Sequence, residues 1–239
     1  MNRTTDLIDN LRVLGLTLEL RNVSIGYSAS LVSAIDAELV AGDFICLIGR
    51  NGTGKSTLLK TIAGLIPPLN GICRIEENAA QADNGGISEL KKNANQVSIV
   101  LTQIPDLPNT TVFELVSYGR LPYMNLFAKL KEEDIKATEE AIKAVGIEFL
   151  SHKKLNNLSD GEKQKAMIAR ALAQGSSIIL LDEPSAFLDY PSKHELMQLL
   201  KDLAHNHGKA ILLSSHDLDI VKKYADKIWE IENNRLHIR

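Results

Sequence analysis

Residues 49–56 read Gly-Arg-Asn-Gly-Thr-Gly-Lys-Ser, which fits the spacing G-x-x-x-x-G-K-[ST] with Gly49, Gly54, Lys55 and Ser56 in its fixed positions. A triphosphate requires those residue types. Glycines let successive backbone N–H groups curl toward phosphate oxygens, and a helix starting at this point adds partial positive charge. Lys55 can then reach the β and γ phosphates, and the Ser56 hydroxyl is placed to ligate Mg²⁺. Arg50, Asn51, Gly52, Thr53 and Thr57 complete the expected nucleotide-binding run. A second feature is Ile-Ile-Leu-Leu-Asp-Glu at 178–183, an apolar stretch ending in two carboxylates. Asp182 suits an Mg²⁺ shell, directly or through water. Glu183 is the candidate base that orients or deprotonates an attacking water.

Such a loop works only between a strand and a helix, and the flanking residues supply both. Residues 44–48 are continuously apolar up to Gly49, the pattern of a strand buried on both faces of a mostly parallel sheet. A helix is expected from near Lys55 to the Pro67-Pro68 pair. Residues 16–25 alternate apolar with polar, and 31–39 do so less cleanly, so both predict half-buried strands. Residues 81–95, rich in Gly, Asn and Gln, predict a loop-rich insertion, and 96–101 a further buried strand. The stretch 110–174 carries helical spacing throughout. Strands at 177–181, 209–214 and 227–231, separated by helices at 192–206 and 218–224, then predict an α/β sheet.

Bulk properties narrow the partner classes. The 239 residues carry 27 Lys plus Arg against 30 Asp plus Glu, a formal charge of -3, which gives no argument for nucleic acid or an anionic membrane surface. The 44% apolar and 24% charged composition is that of a globular chain rather than a disordered one. Cys46 and Cys73 stand far apart without CxxC spacing, so neither a disulfide framework nor a zinc site is indicated. No apolar run approaches the roughly 20 residues that span a bilayer. The polar first ten residues lack a secretory pattern, and export is not expected.

Residues 158–164, Leu-Ser-Asp-Gly-Glu-Lys-Gln, precede the Asp182 strand and open a helix. With the two phosphate motifs in this order, the chain closely resembles the ATP-binding-cassette (ABC) ATPases. The resemblance implies an α/β P-loop NTPase fold: a RecA-like core with a mainly parallel sheet, an antiparallel β part and an inserted α-helical subdomain. It implies one ABC ATPase domain over 1–239, with the nucleotide-binding core at 1–103 and 175–239 and the helical subdomain at 104–174. In that family a Leu-Ser-Gly-Gly-Gln segment of one subunit caps the γ-phosphate held by the other. Ser159 and Gly161 match it, whereas Asp160 and Glu162 replace a glycine and the glutamine. A carboxylate near a triphosphate is repulsive unless its side chain points away. The resemblance further makes Gln103 the residue that senses Mg²⁺ and water, Asp189 the aspartate that bridges subunits, and His216 the switch histidine that positions Glu183 and water. Tyr27 stands where the family places an aromatic that stacks on adenine. His205 and His207 fit cation placement at a helix end better than metal binding.

The resemblance implies a head-to-tail homodimer with two ATP and Mg²⁺ sites, closed by ATP binding and reopened by hydrolysis. Tyr-Gly-Arg-Leu-Pro-Tyr at 118–123 and the Leu-Ser-Asp-Gly-Glu variant resemble ATPases of bacterial importers for iron chelates, haem and cobalamin. That implies docking of the helical block on a transmembrane permease served by a substrate-binding protein, peripherally at the cytoplasmic face of the cell membrane, and no nucleic-acid partner. A DNA-repair relative would need a long coiled coil for which the segment between the phosphate loop and signature has no room. A translation relative would usually carry two cassettes. A non-catalytic regulator is disfavoured because Lys55, Asp182, Glu183 and His216 are all kept. A cytosolic cassette of iron-sulfur assembly stays open as the alternative, as does import of another substrate.

Overall fold

The continuous apolar runs form the middle of a six-stranded sheet in a computed structural model that describes residues 16–77, 96–103, 107–124 and 129–239. The insertion expected over 81–95 lies outside the described residues, as do residues 1–15. The sheet order is β5 (Val97–Val100), β6 (Ile178–Leu181), β7 (Ala210–Ser214), β3 (Phe44–Gly49), β8 (Lys227–Glu232) and β9 (Arg235–Ile238). All neighbours pair in parallel except β8 with β9. A smaller antiparallel sheet, β2-β1-β4, is built from β1 (Leu16–Gly26), β2 (Ser30–Val40) and β4 (Asn70–Glu77).

Alternate residues of each central strand feed two cores, which is why those strands carry no polar break. Phe44, Cys46, Ile48, Ile179, Leu181, Ile211 and Leu213 face one core. Its other walls are the helical block together with α5 (Tyr190–His205) and α6 (Leu218–Tyr224). Ile45, Leu47, Ile178, Leu180 and Leu212 face the other core, closed by the antiparallel sheet and α1 (Lys55–Ile62). Burial pushes the Cys46 and Cys73 thiols up to about 12, so both are inert packing groups.

Helix α1 ends earlier than the proline pair suggested. Its C-cap is Ala63, and Gly64 at φ 71° turns the chain so that the Leu65 N–H closes back on the Lys60 carbonyl. Two strands carry little sequence signal. In β4 Cys73 and Ile75 point into the core, and β9 is an exposed edge.

The expected helical block consists of α2 (Val112–Ser117), a 3₁₀ turn at Tyr118–Tyr123, α3 (Glu132–Ala144) and α4 (Asp160–Ala173). Arg120 ties it together: Nε donates to the buried Asp134 carboxylate at 3.0 Å and Nη1 to the Ala173 carbonyl at 2.9 Å. Its guanidinium lies 4.0 Å from the centre of the Tyr123 ring, and the Tyr123 hydroxyl donates to the Gln174 carbonyl at 2.8 Å. The Lys131 backbone N–H, followed by Arg120, holds the Asp134 carboxyl below its usual range against the opposing effect of burial. Arg120→Ala leaves that buried charge without its cation and should cost about 3 kcal/mol, or about 6–12 °C in Tm at neutral pH. A carboxyl whose folded pKa is depressed stabilises above its unfolded value and loses that stabilisation as pH falls. The gap between the variant and the parent in a thermal scan should therefore narrow below about pH 4.

Candidate functional site

Strands β6, β7 and β3 are parallel neighbours, so their C-terminal ends open side by side at one edge of the sheet. The register aligns Leu181 with Leu213 and Leu47 with Ser214. The next residues of each strand thus arrive together: Gly49 and the phosphate loop from β3, Asp182 and Glu183 from β6, Ser214 and His216 from β7.

The loop turns into α1 through Gly54, whose φ of 107° suits a residue without Cβ. Lys55, only 6% exposed, folds back over the loop and donates to the Gly49 and Arg50 carbonyls at 2.9 and 3.2 Å. The Thr53 hydroxyl donates to the same Arg50 carbonyl at 2.9 Å. The Ser56 hydroxyl donates to Asp182 Oδ1 at 3.0 Å. Lys55 Nζ stands 4.0 Å from Glu183 Oε1, and His216 Nδ1 stands 3.7 Å from Glu183 Oε2. Glu183 therefore lies between the Lys55 ammonium and the His216 imidazole. A cleft of about 470 Å³ bordered by Asn51, Gly52, Gly54, Lys55, Ser56 and Thr57 has Thr102 and Glu183 on its far side.

Asp182 is a buried carboxylate that receives two hydroxyl donors, from Ser56 and from Ser214, and no basic partner among the described residues. A hard, undercompensated oxygen beside a second hydroxyl fits Mg²⁺, which typically takes one or two protein oxygens with phosphate and water completing its shell. No cluster of three or more His, Cys, Asp or Glu side chains able to hold a metal occurs among the described residues.

Other expected site residues stand apart from the phosphate loop. Gln103 is exposed and lines a second cleft of about 600 Å³, with Thr102, Asp160, Lys163, Glu183 and Phe187. Glu183 and Thr102 border both clefts. Tyr27, 65% exposed at the turn between β1 and β2, borders neither. Ser159 and Gly161 line a separate crevice of about 90 Å³ between α4 and α5. Ser159 caps α4: its hydroxyl accepts from the Glu162 N–H at 3.3 Å while Glu162 reaches back to the Ser159 N–H at 2.8 Å. The Glu162 carboxylate is thereby used locally, and Asp160 pairs with Lys163 at 3.4 Å. The Ser159 hydroxyl proton is free for an acceptor. Asp189 caps α5, and hydrogen bonding to Ser192 holds its carboxyl below the usual range. His205 Nε2 meets Asp226 at 2.8 Å at the C-terminus of α5, and His207 meets Asp202 at 3.7 Å, so both serve that helix end.

Two residues of the site escaped sequence reasoning. The Thr102 hydroxyl donates to the Asp182 carbonyl at 2.8 Å, and Ser214 bridges Asp182 and Glu183. The signal for Ser214 was a hydroxyl closing an otherwise apolar strand two residues before His216.

Comparison with known proteins places the chain among related sequences. The family described as ABC transporter matches residues 32–186. The achromobactin transport ATP-binding protein CbrD of Dickeya dadantii is 37% identical over 217 residues, covering 89% of this chain and 78% of that protein. The petrobactin import ATP-binding protein FpuD of Bacillus anthracis is 33% identical over 222 residues, covering 92% of this chain and 79% of its own length. The dimeric structure of a bacterial ABC transporter cassette superposes with a TM-score of 0.75 at 27% identity, covering 93% of this chain and 97% of that one.

Proposed function

The chain belongs to the ABC transporter family and is an ATPase subunit of a transporter, and from that premise we propose that it powers import of an iron chelate through a membrane permease. Siderophore-transport relatives spanning about nine-tenths of the chain carry this reading of the cargo. The permease supplies the membrane path, since no helix among the described residues is long and apolar enough to cross a bilayer. The chain binds at the cytoplasmic face through its helical subdomain, 104–174, while 1–103 and 175–239 form the nucleotide core. A substrate-binding protein delivers the chelate on the opposite side.

The working unit is a head-to-tail homodimer. The reason lies in the lining of one chain's clefts: Ser159 and Gly161 line a crevice that shares no lining residue with the cleft at residues 51–57. A partner's Ser159 hydroxyl and the Gly161 amide close over the γ-phosphate held by this chain, with Asp189 at the seam. Within each site Lys55 leaves its two carbonyl acceptors to donate to the β and γ phosphates, and the amides of residues 50–57 cradle them. Ser56 and Asp182, with Gln103 of the adjoining cleft, would hold Mg²⁺, which would supply positive charge for the phosphate oxygens. Glu183 accepts the proton of the attacking water, whose oxygen bonds to the γ-phosphorus as the bond to ADP breaks. His216 keeps that carboxylate and water aligned. Tyr27, exposed at the turn between β1 and β2, stacks on adenine.

Affinity purification of the chain from detergent-solubilised membranes tests the transport reading. Recovery with a polytopic permease supports it, and recovery with an iron-sulfur scaffold and no permease overturns it. Tyr27→Ala should weaken ATP binding about fivefold, the equivalent of about 1 kcal/mol of stacking. An unchanged dissociation constant in a fluorescent-nucleotide titration rejects that contact.

A further inference from the structure

Ser214 stands at the join between the two acidic residues and is itself neither acid, base nor phosphate ligand. It is fully buried at the C-terminal end of β7. Its hydroxyl accepts a hydrogen bond from the Glu183 backbone N–H at 2.8 Å and donates its own proton to Asp182 Oδ1 at 2.8 Å. Both functions of the group are thus committed, one to each acid. The Glu183 backbone has φ 48°, a left-handed conformation that is strained for a non-glycine residue and persists only where the surroundings over-determine it. Thr102 holds the carbonyl just before Glu183, and the Ala186 N–H holds the Glu183 carbonyl at 3.1 Å. Ser214 holds the remaining polar backbone group, the N–H.

We propose that Ser214 is a positioning residue for hydrolysis, which locks the Glu183 backbone so that its carboxylate stays between Lys55 and His216. The proposal rests on Glu183 being the base. An apolar residue here would leave the part-buried Glu183 N–H without this acceptor, and the peptide would be free to relax out of the left-handed region. Sheet topology makes the contact available. Strands β6 and β7 are parallel neighbours with Leu181 in register with Leu213, so the next residues, Asp182 and Ser214, come side by side.

Ser214→Thr and Ser214→Val have the same shape and differ by the hydroxyl alone. In the purified full chain, the Val variant should hydrolyse ATP with a kcat about ten- to a hundredfold below that of the Thr variant, with KM within about twofold. The dissociation constant for a fluorescent ATP analogue should also agree within about twofold, a change that general loosening of the site would not spare. In single-turnover assays on a Glu183→Gln background, adding Ser214→Val should produce no further loss, because what Ser214 positions is already gone. Should the branched side chains not fit, Ser214→Ala against the parent makes the same comparison. Equal kcat with and without the hydroxyl would overturn this proposal alone, as would a full penalty on the Glu183→Gln background. Undiminished turnover by Glu183→Gln itself would overturn the base assignment, and this proposal with it.

Discussion

Glu183→Gln should reduce ATP turnover by about a thousandfold or more while leaving ATP affinity nearly unchanged. The amide keeps the size and hydrogen-bonding outline of the carboxylate but cannot accept the proton of the attacking water, and general-base contributions are worth about 10²–10⁴ in rate. Lys55 and His216 lie 4.0 and 3.7 Å from the two carboxylate oxygens, so the substitution also removes a negative charge between two nitrogen groups. Nucleotide binding should accordingly be retained or tightened. With binding intact and hydrolysis blocked, ATP should hold the closed dimer, which size-exclusion chromatography with ATP would register as a shift from monomer to dimer. Hydrolysis at the parent rate would remove Glu183 from the role of base.

Lys55→Ala should lower ATP affinity about a hundredfold, read as the dissociation constant in an equilibrium titration. The side chain is held over the loop by two carbonyls and, with His216, is one of two nitrogen groups within 4.0 Å of the Glu183 carboxylate among the described residues. Transfer of those donors to phosphate gives charge-assisted contacts, and losing them costs about 3 kcal/mol. Stability should move the other way or not at all. Removing a buried ammonium relieves its desolvation, and the two carbonyls it leaves can take water through the adjoining cleft. A variant that binds ATP as tightly as the parent would contradict the phosphate assignment, and one that merely unfolds would show itself as a lowered Tm.

The core strands were legible because their chemistry is one-sided in sequence: apolar runs that end at Gly49, at Asp182 or at Ser214 are what a sheet covered on both faces demands. The phosphate loop was legible for a different reason, since all its working groups lie within eight consecutive residues. Strand β4 was not, because its core contribution rests on Cys73 and Ile75, two apolar residues among polar ones, and its pairing with β1 is set by backbone hydrogen bonds. The end of α1 was misplaced because Gly64 stops the helix before the prolines are reached. Glu162, an uneasy neighbour for a triphosphate on charge alone, is turned back into its own helix cap, the local role that the Ser-Asp-Gly-Glu string already carries in sequence.

By itself the sequence determined which groups are present and in what order: a phosphate loop, two acids at a strand end, a signature serine and a histidine after a later strand. Local rules suffice there, since strands, caps and glycine turns are specified by neighbours in the chain. The tertiary structure decided which of those groups meet. Lys55, Glu183 and His216 converge, and Ser214 joins Asp182 to Glu183, because parallel strands distant in sequence are paired in the order β6-β7-β3. The same geometry leaves Ser159 away from the phosphate loop of its own chain, since helix packing directs the signature toward a separate crevice. Such pairings depend on long-range backbone hydrogen bonds and shared core packing, which no local spacing in the chain encodes.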